Sequence, residues 1–188
     1  MNRFICVITC VSIFLGLGRH ACAQGASVST NIVDYAQLGT LNVEASCGVA
    51  RHWSLSAGVK YNPFSFENEK LQTPMQSRQR AVAVGTRYWP WHIYSGWWIA
   101  GKMQYQEYNE GGIRSPETSE GNRYGGGLSG GFTYMLHKHF NVEVGVGLWA
   151  GHQTYTTYAC PVCGRIVAKG DGVFMRPNDF LLSLSYVF

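Results

Sequence analysis

Hydrophobic and polar side chains alternate with a period of two along almost the whole chain beyond residue 25. Between residues 40 and 49, Leu41, Val43, Ala45, Cys47 and Val49 share one parity, and Thr40, Asn42, Glu44, Ser46 and Gly48 share the other. The same separation runs through 53–62, 80–89, 97–106, 124–136, 140–152 and 180–188, with a shorter instance at 26–33. Successive side chains of a β-strand point to opposite faces, so each segment is expected to be a strand with one apolar face. Eight strands result, and no segment carries a helical period of comparable quality.

Alternation alone also fits a soluble antiparallel sheet. The connections separate the two cases. Those at 51–52, 90–94 and 137–139 are short, whereas those at 34–39, 63–77, 107–123 and 156–178 are long and polar. Short and long connections alternate, starting with a long one, which places both chain ends and every tight turn on one side. The expected fold is all-β: an eight-stranded antiparallel transmembrane β-barrel of meander topology, with short periplasmic turns and longer extracellular loops.

Aromatic and charged positions fit that fold. Tyr61, Tyr105, Tyr124 and Phe180 hold the apolar parity at the loop end; Trp53, Tyr88, Trp97, Tyr134, Phe140, Tyr186 and Phe188 hold it at the turn end. A membrane barrel carries two such girdles at the lipid–water boundaries. Glu44, Lys60, Arg87, Lys102 and Glu143 all take the opposite parity. A basic group facing lipid at mid-depth costs about 2–4 kcal/mol, so these charges are expected to line the lumen as a network. Glu44 and Lys60 approach a diagonal cross-strand pair, and Glu44 is expected nearest Lys60 or Lys102. A soluble lipocalin-like barrel would have the reverse polarity.

Composition narrows the classes further. Only 14% of the 188 residues are charged and 46% are hydrophobic, which excludes a highly charged disordered segment. The net charge of +4 has no basic run behind it, so nucleic acid is not an expected partner. Residues 1–23 contain Arg3, an apolar run from Phe4 to Leu17, and the small-residue end Ala21-Cys22-Ala23. This is the pattern of a secretory signal cleaved after Ala23, leaving a barrel domain at 24–188. The apolar run is about 21 Å long as a helix, too short to span a bilayer. Removing it takes away Cys6, Cys10 and Cys22 and leaves Cys47, Cys160 and Cys163. Three cysteines do not make a disulfide scaffold, so the fold must rest on its sheet.

The closing stretch from Pro177-Asn178-Asp179-Phe180 to Ser185-Tyr186-Val187-Phe188, with Tyr158-Ala159-Cys160-Pro161-Val162-Cys163-Gly164 before it, resembles a family of uncharacterised small outer-membrane barrels. That family occurs in Gram-negative anaerobes and is defined as a domain of unknown function. Thr30-Asn31 and Tyr61-Asn62-Pro63-Phe64 are also similar to it. The resemblance implies an eight-stranded barrel in the outer membrane with no established activity, and a link to fimbrial or other surface assembly. Separately, Phe188 after the alternating Phe180, Leu182, Leu184 and Tyr186 looks like the insertion signal read by the barrel-assembly machinery, which an apolar-faced last strand can meet by edge pairing.

Candidate chemistry is sparse. Eight strands leave room for side chains and little else, so a filled lumen is expected over a small pore. Glycines 125, 127, 131, 145 and 147 thin the lumen wall and leave open a water-filled pocket. A lipid-modifying enzyme would need a nucleophile, a base and an orienting acid at the outer rim. His152 and Thr154 share the lipid-facing parity there, with no serine or carboxylate completing the set in sequence, so a non-catalytic role without a cofactor is expected. Arg78 and Arg80, at the loop end of the fourth strand, suit lipopolysaccharide phosphates. Tyr108, Arg114 and Arg123 read as ordinary loop residues. Cys160 and Cys163 can close a small disulfide or supply half of a four-ligand zinc site, with His152 or Asp171 as further ligands. Cys47 sits on the lipid-facing parity.

Overall fold

The structure, a computed structural model, describes residues 25–68, 73–112, 116–160 and 164–188. The export signal expected at 1–23, together with Arg114 and Cys163, lies outside the described residues. The elements in chain order are β1 (Ala26–Asn31), α1 (Ile32–Ala36), β2 (Leu41–Ala50), β3 (Trp53–Asn62), β4 (Ser65–Asn68), β5 (Thr73–Tyr88), β6 (Gly96–Gly111), β7 (Thr118–His137), β8 (Phe140–Tyr158) and β9 (Ile166–Val187). Consecutive strands pair antiparallel except β3 and β4, β3 pairs with β5 instead, and β9 closes on β1 from Ser27↔Val187 to Asn31↔Ser183. The result is a closed eight-stranded antiparallel barrel in meander order. The short β4 adds to β5 beyond the end of β3.

Parity decides the faces. Val84, Ile99, Met103, Leu128 and Val146 on the outer wall are each more than half exposed, while Ser54, Thr133, Asn141 and Ser185 on the lumen side are fully buried. A soluble monomer tolerates apolar patches of about 300–600 Å². Here the apolar face runs continuously around the wall, which is the polarity expected from the alternation. None of the described helices is long and apolar enough to cross a membrane.

The turn ends of the strands fall within a residue or two of expectation; the loop ends do not. β5 starts at Thr73 rather than 80, β7 at Thr118 rather than 124, and β9 at Ile166 rather than 180. β6 and β8 likewise continue to Gly111 and Tyr158. On the membrane placement expected from the sequence, both faces of the sheet would be wet past the upper girdle, so pairing continues without demanding an apolar parity. Pro177 lies inside β9 opposite Leu148, next to a register shift at Gly147/Leu148 that absorbs the missing N–H. The strand expected at 26–33 stops at Asn31, which caps α1 by accepting from the Val33 N–H at 3.2 Å. Five residues are too few to show a helical period.

Candidate functional site

The lumen holds the polar chemistry, stacked in layers from the turn end upward. At the bottom, the β5–β6 connection folds into the barrel mouth. Trp89, Tyr94 and Trp98 pack there as a buried aromatic cluster with Ala100. Trp89 Nε1 donates to Ser54 Oγ at 3.0 Å, and Asn141 Nδ2 donates to the Tyr94 carbonyl at 2.8 Å. Tyr94 has φ 63°, a strained left-handed conformation that its bonds to Asn141 and Ser46 hold in place. Gly131 and Gly145 make room for this plug: a Cβ on either would meet the Trp98 ring, at 2.6 and 3.0 Å. Two of the glycines that left a water-filled pocket open as an alternative to the filled lumen therefore receive an indole.

Arg87 lies on the next layer, over the Trp98 ring at 4.6 Å. Its guanidinium bridges the lumen, donating to Glu44 on β2 at 2.5 Å and to Glu143 on β8 at 2.7 Å. This corrects the expected pairing of Glu44 with Lys60 or Lys102. A lumen only a few side chains wide lets a long, forked guanidinium reach across to both carboxylates, which a neighbouring ammonium matches less well. Lys60 instead meets Asp34 on α1 at 2.9 Å, an acid that the sequence reading passed over. Glu44, Lys60, Arg87 and Lys102 together line one lumen cavity of about 70 Å³.

Above it, Gln79, Gln104, Gln106, Glu110, Arg123 and Arg176 line a second cavity of about 140 Å³. Arg123 is no ordinary loop residue. It is 4% exposed on β7, stacks over the Tyr108 ring at 3.4 Å and pairs with Glu110 at 3.1 Å. Its inward parity, shared with Gly125 and Gly127, is the signal that could have found it. On the outer face of the same upper sheet, Tyr158 donates to Glu120 at 2.9 Å, a bond that holds its phenol above the ordinary range.

Outside the barrel, Arg78 and Arg80 are exposed at the loop end, and Arg80 sits over Tyr61 at 5.8 Å. With Glu107 they line a cavity of about 160 Å³. His152 stacks near Tyr124 at 5.7 Å and meets Asp171 at 3.4 Å. A carboxylate does reach it, supplied by a part of β9 that the sequence pattern predicts as loop. Its Nε2 faces Asp171, while its buried Nδ1 has no hydrogen-bond partner among the described residues, so Thr154 is not bonded to that nitrogen.

Cys160 and Cys47 are both disulfide-bonded. They stand at opposite ends of the barrel, Cys47 opposite Ala26 and Cys160 beyond Tyr158. Among the described residues no three His, Cys, Asp or Glu are grouped to hold a metal ion. Phe180, Leu182, Leu184, Tyr186 and Phe188 all project to the outside, and the Phe188 N–H closes on the Ala26 carbonyl at 2.9 Å.

The family described as "Protein of unknown function (DUF3575)" matches residues 5–188. The chain belongs to this DUF3575 family. No curated protein and no solved structure matches it.

Proposed function

We propose that this DUF3575 chain is an exported, integral outer-membrane barrel with a non-catalytic role at the cell surface, in envelope structure, adhesion or the assembly of surface filaments such as fimbriae. The observation that carries this reading is the polarity of the wall. An apolar band girdled by aromatic rings encloses a lumen of buried ion pairs and hydrogen-bonded amides, the arrangement that lipid outside and polar groups inside require. Export by the signal at 1–23 and insertion through the Phe180–Phe188 face complete the route. Arg78 and Arg80 then contact lipopolysaccharide phosphates at the outer rim.

Membrane fractionation followed by heat-modifiable gel mobility tests the placement, and recovery in the soluble periplasm would sink it. The buried Trp89–Tyr94–Trp98 plug supports a lumen that does not conduct. Planar bilayers should accordingly show no steady channel. The His152–Asp171 contact is the one observation favouring a lipid-modifying enzyme. Unchanged lipid A mass on expression is the expected result, and a new acyl or deacyl product would displace the proposal.

A further inference from the structure

The barrel is closed only over its lower half. β1 ends its pairing with β9 at Asn31↔Ser183, whereas β9 begins at Ile166. Between Ile166 and Phe174, β9 pairs with β8 on one side and, among the described residues, with no strand on the other. Every second residue there directs its N–H and C=O outward along a bare sheet edge. Such an edge is a template for another strand. Most of its side chains are exposed as well, with Val167 and Val173 at 55% and 84%.

We propose that this edge binds the same edge of a second copy of the chain. The argument is its sequence, Val167-Ala168-Lys169-Gly170-Asp171-Gly172-Val173. Laid antiparallel on itself about Gly170, it sets Lys169 opposite Asp171 of the other copy, Ala168 opposite Gly172, and Val167 opposite Val173. Residues directly opposite in an antiparallel pair project from the same face, so both charge pairs and both valine pairs meet. The centre is glycine on glycine, where nothing obstructs the approach of the two backbones. Self-complementarity of this kind is what a two-fold, isologous interface demands. Lys169 makes no ion pair within its own chain among the described residues, and Asp171 meets His152 only at 3.4 Å while staying 72% exposed, so both remain available.

Direction follows from the pairing. β9 runs from the loop end toward the turn end, so an antiparallel copy points the opposite way. On the outer-membrane reading given above, two such barrels sit in facing membranes, and the contact is adhesive between surfaces. One short strand pair buries less than a stable dimer needs, so single contacts are weak and many act together.

Charge swapping tests this with full-length protein reconstituted in lipid vesicles. Wild-type vesicles are expected to cluster. Lys169→Asp alone, or Asp171→Lys alone, sets like charges opposite each other twice per pair and should weaken association by about tenfold or more. Vesicles of the first variant mixed with vesicles of the second should cluster again, and so should vesicles of the double variant alone. Heat-modifiable mobility confirms that each variant is folded. Equal clustering in all preparations, or failure of the mixture to recover, would overturn the proposal, as would clustering of copies only through a third protein. Light scattering in detergent, at protein concentrations high enough to populate a single contact, reads the same five preparations without any vesicle. A failure of membrane insertion, which would count against the outer-membrane reading, is thereby kept distinct from a failure of self-pairing.

Discussion

Arg87 occupies a position where removal and replacement have opposite consequences. Its guanidinium is 9% exposed and pairs with Glu44 and Glu143 at once. Arg87→Met leaves two carboxylates facing each other across a narrow lumen, and breaking a buried pair in this way typically costs about 3–5 kcal/mol. Urea unfolding in micelles should register that loss. Adding Glu44→Gln and Glu143→Gln to the same chain should recover most of it, because no charge is then stranded. If Arg87→Met is as stable as wild type, the bridge contributes nothing.

Strand number, order and facing were legible at the scale of the element because each rests on a period of two, with an apolar outer wall on one side and a narrow polar lumen on the other. The loop ends were not legible, since water on both faces removes the reason to alternate; β9 lost the stretch from Ile166 to Asp179 for this reason and because Pro177 reads as a break. The lumen site was half legible. Parity placed Glu44, Lys60, Arg87, Lys102 and Glu143 inside, but the pairing depends on reach across the barrel, which no single-strand pattern contains. Trp98 shows what was missed. It is an aromatic on the polar parity of β6, and its space is cut from β7 and β8 by Gly131 and Gly145. Gly131→Ala drives a methyl into that ring and against the Val144 carbonyl. Overpacking of this kind costs about 1–3 kcal/mol, and Trp98→Phe in the same chain should return part of it. An unchanged unfolding midpoint for Gly131→Ala would show that the plug is loose. Higher on the sheet, Tyr158 gives a pH dependence. Its phenol is held above the ordinary range, so the bond to Glu120 is fully present below the unfolded phenol range and is lost as pH rises through the folded value. Proteolysis at the loop end should accelerate there and nowhere in the neutral range.

For the whole molecule, the decisive feature is that one sheet is closed below and open above, which on the proposed outer-membrane placement lets it serve two solvents. Its lower half is a closed ring, with β9 between β8 and β1 from Ser183 to Val187. Its upper half, from β5 to β9, is an open sheet whose far edge pairs with no strand among the described residues. Amide exchange should divide β9 accordingly. From Ser183 to Val187 every strand amide has a partner, on β8 or on β1, and a micelle excludes water from the outer wall. Exchange there requires opening of the closed ring and should be the slowest in the strand. Between Ile166 and Phe174 only the amides facing β8 are bonded, so protected and unprotected residues should alternate, with the hairpin opening locally at far smaller cost. Self-pairing makes a further distinction: the unprotected set should gain protection as protein concentration rises, whereas the lower half stays unchanged. In the Lys169→Asp variant that gain should vanish while the alternation itself persists, since β8 still holds the other side. Uniform slow exchange along the whole of β9 in dilute protein would mean that the edge is covered within the chain, and both the open-sheet description and the self-pairing built on it would fall together.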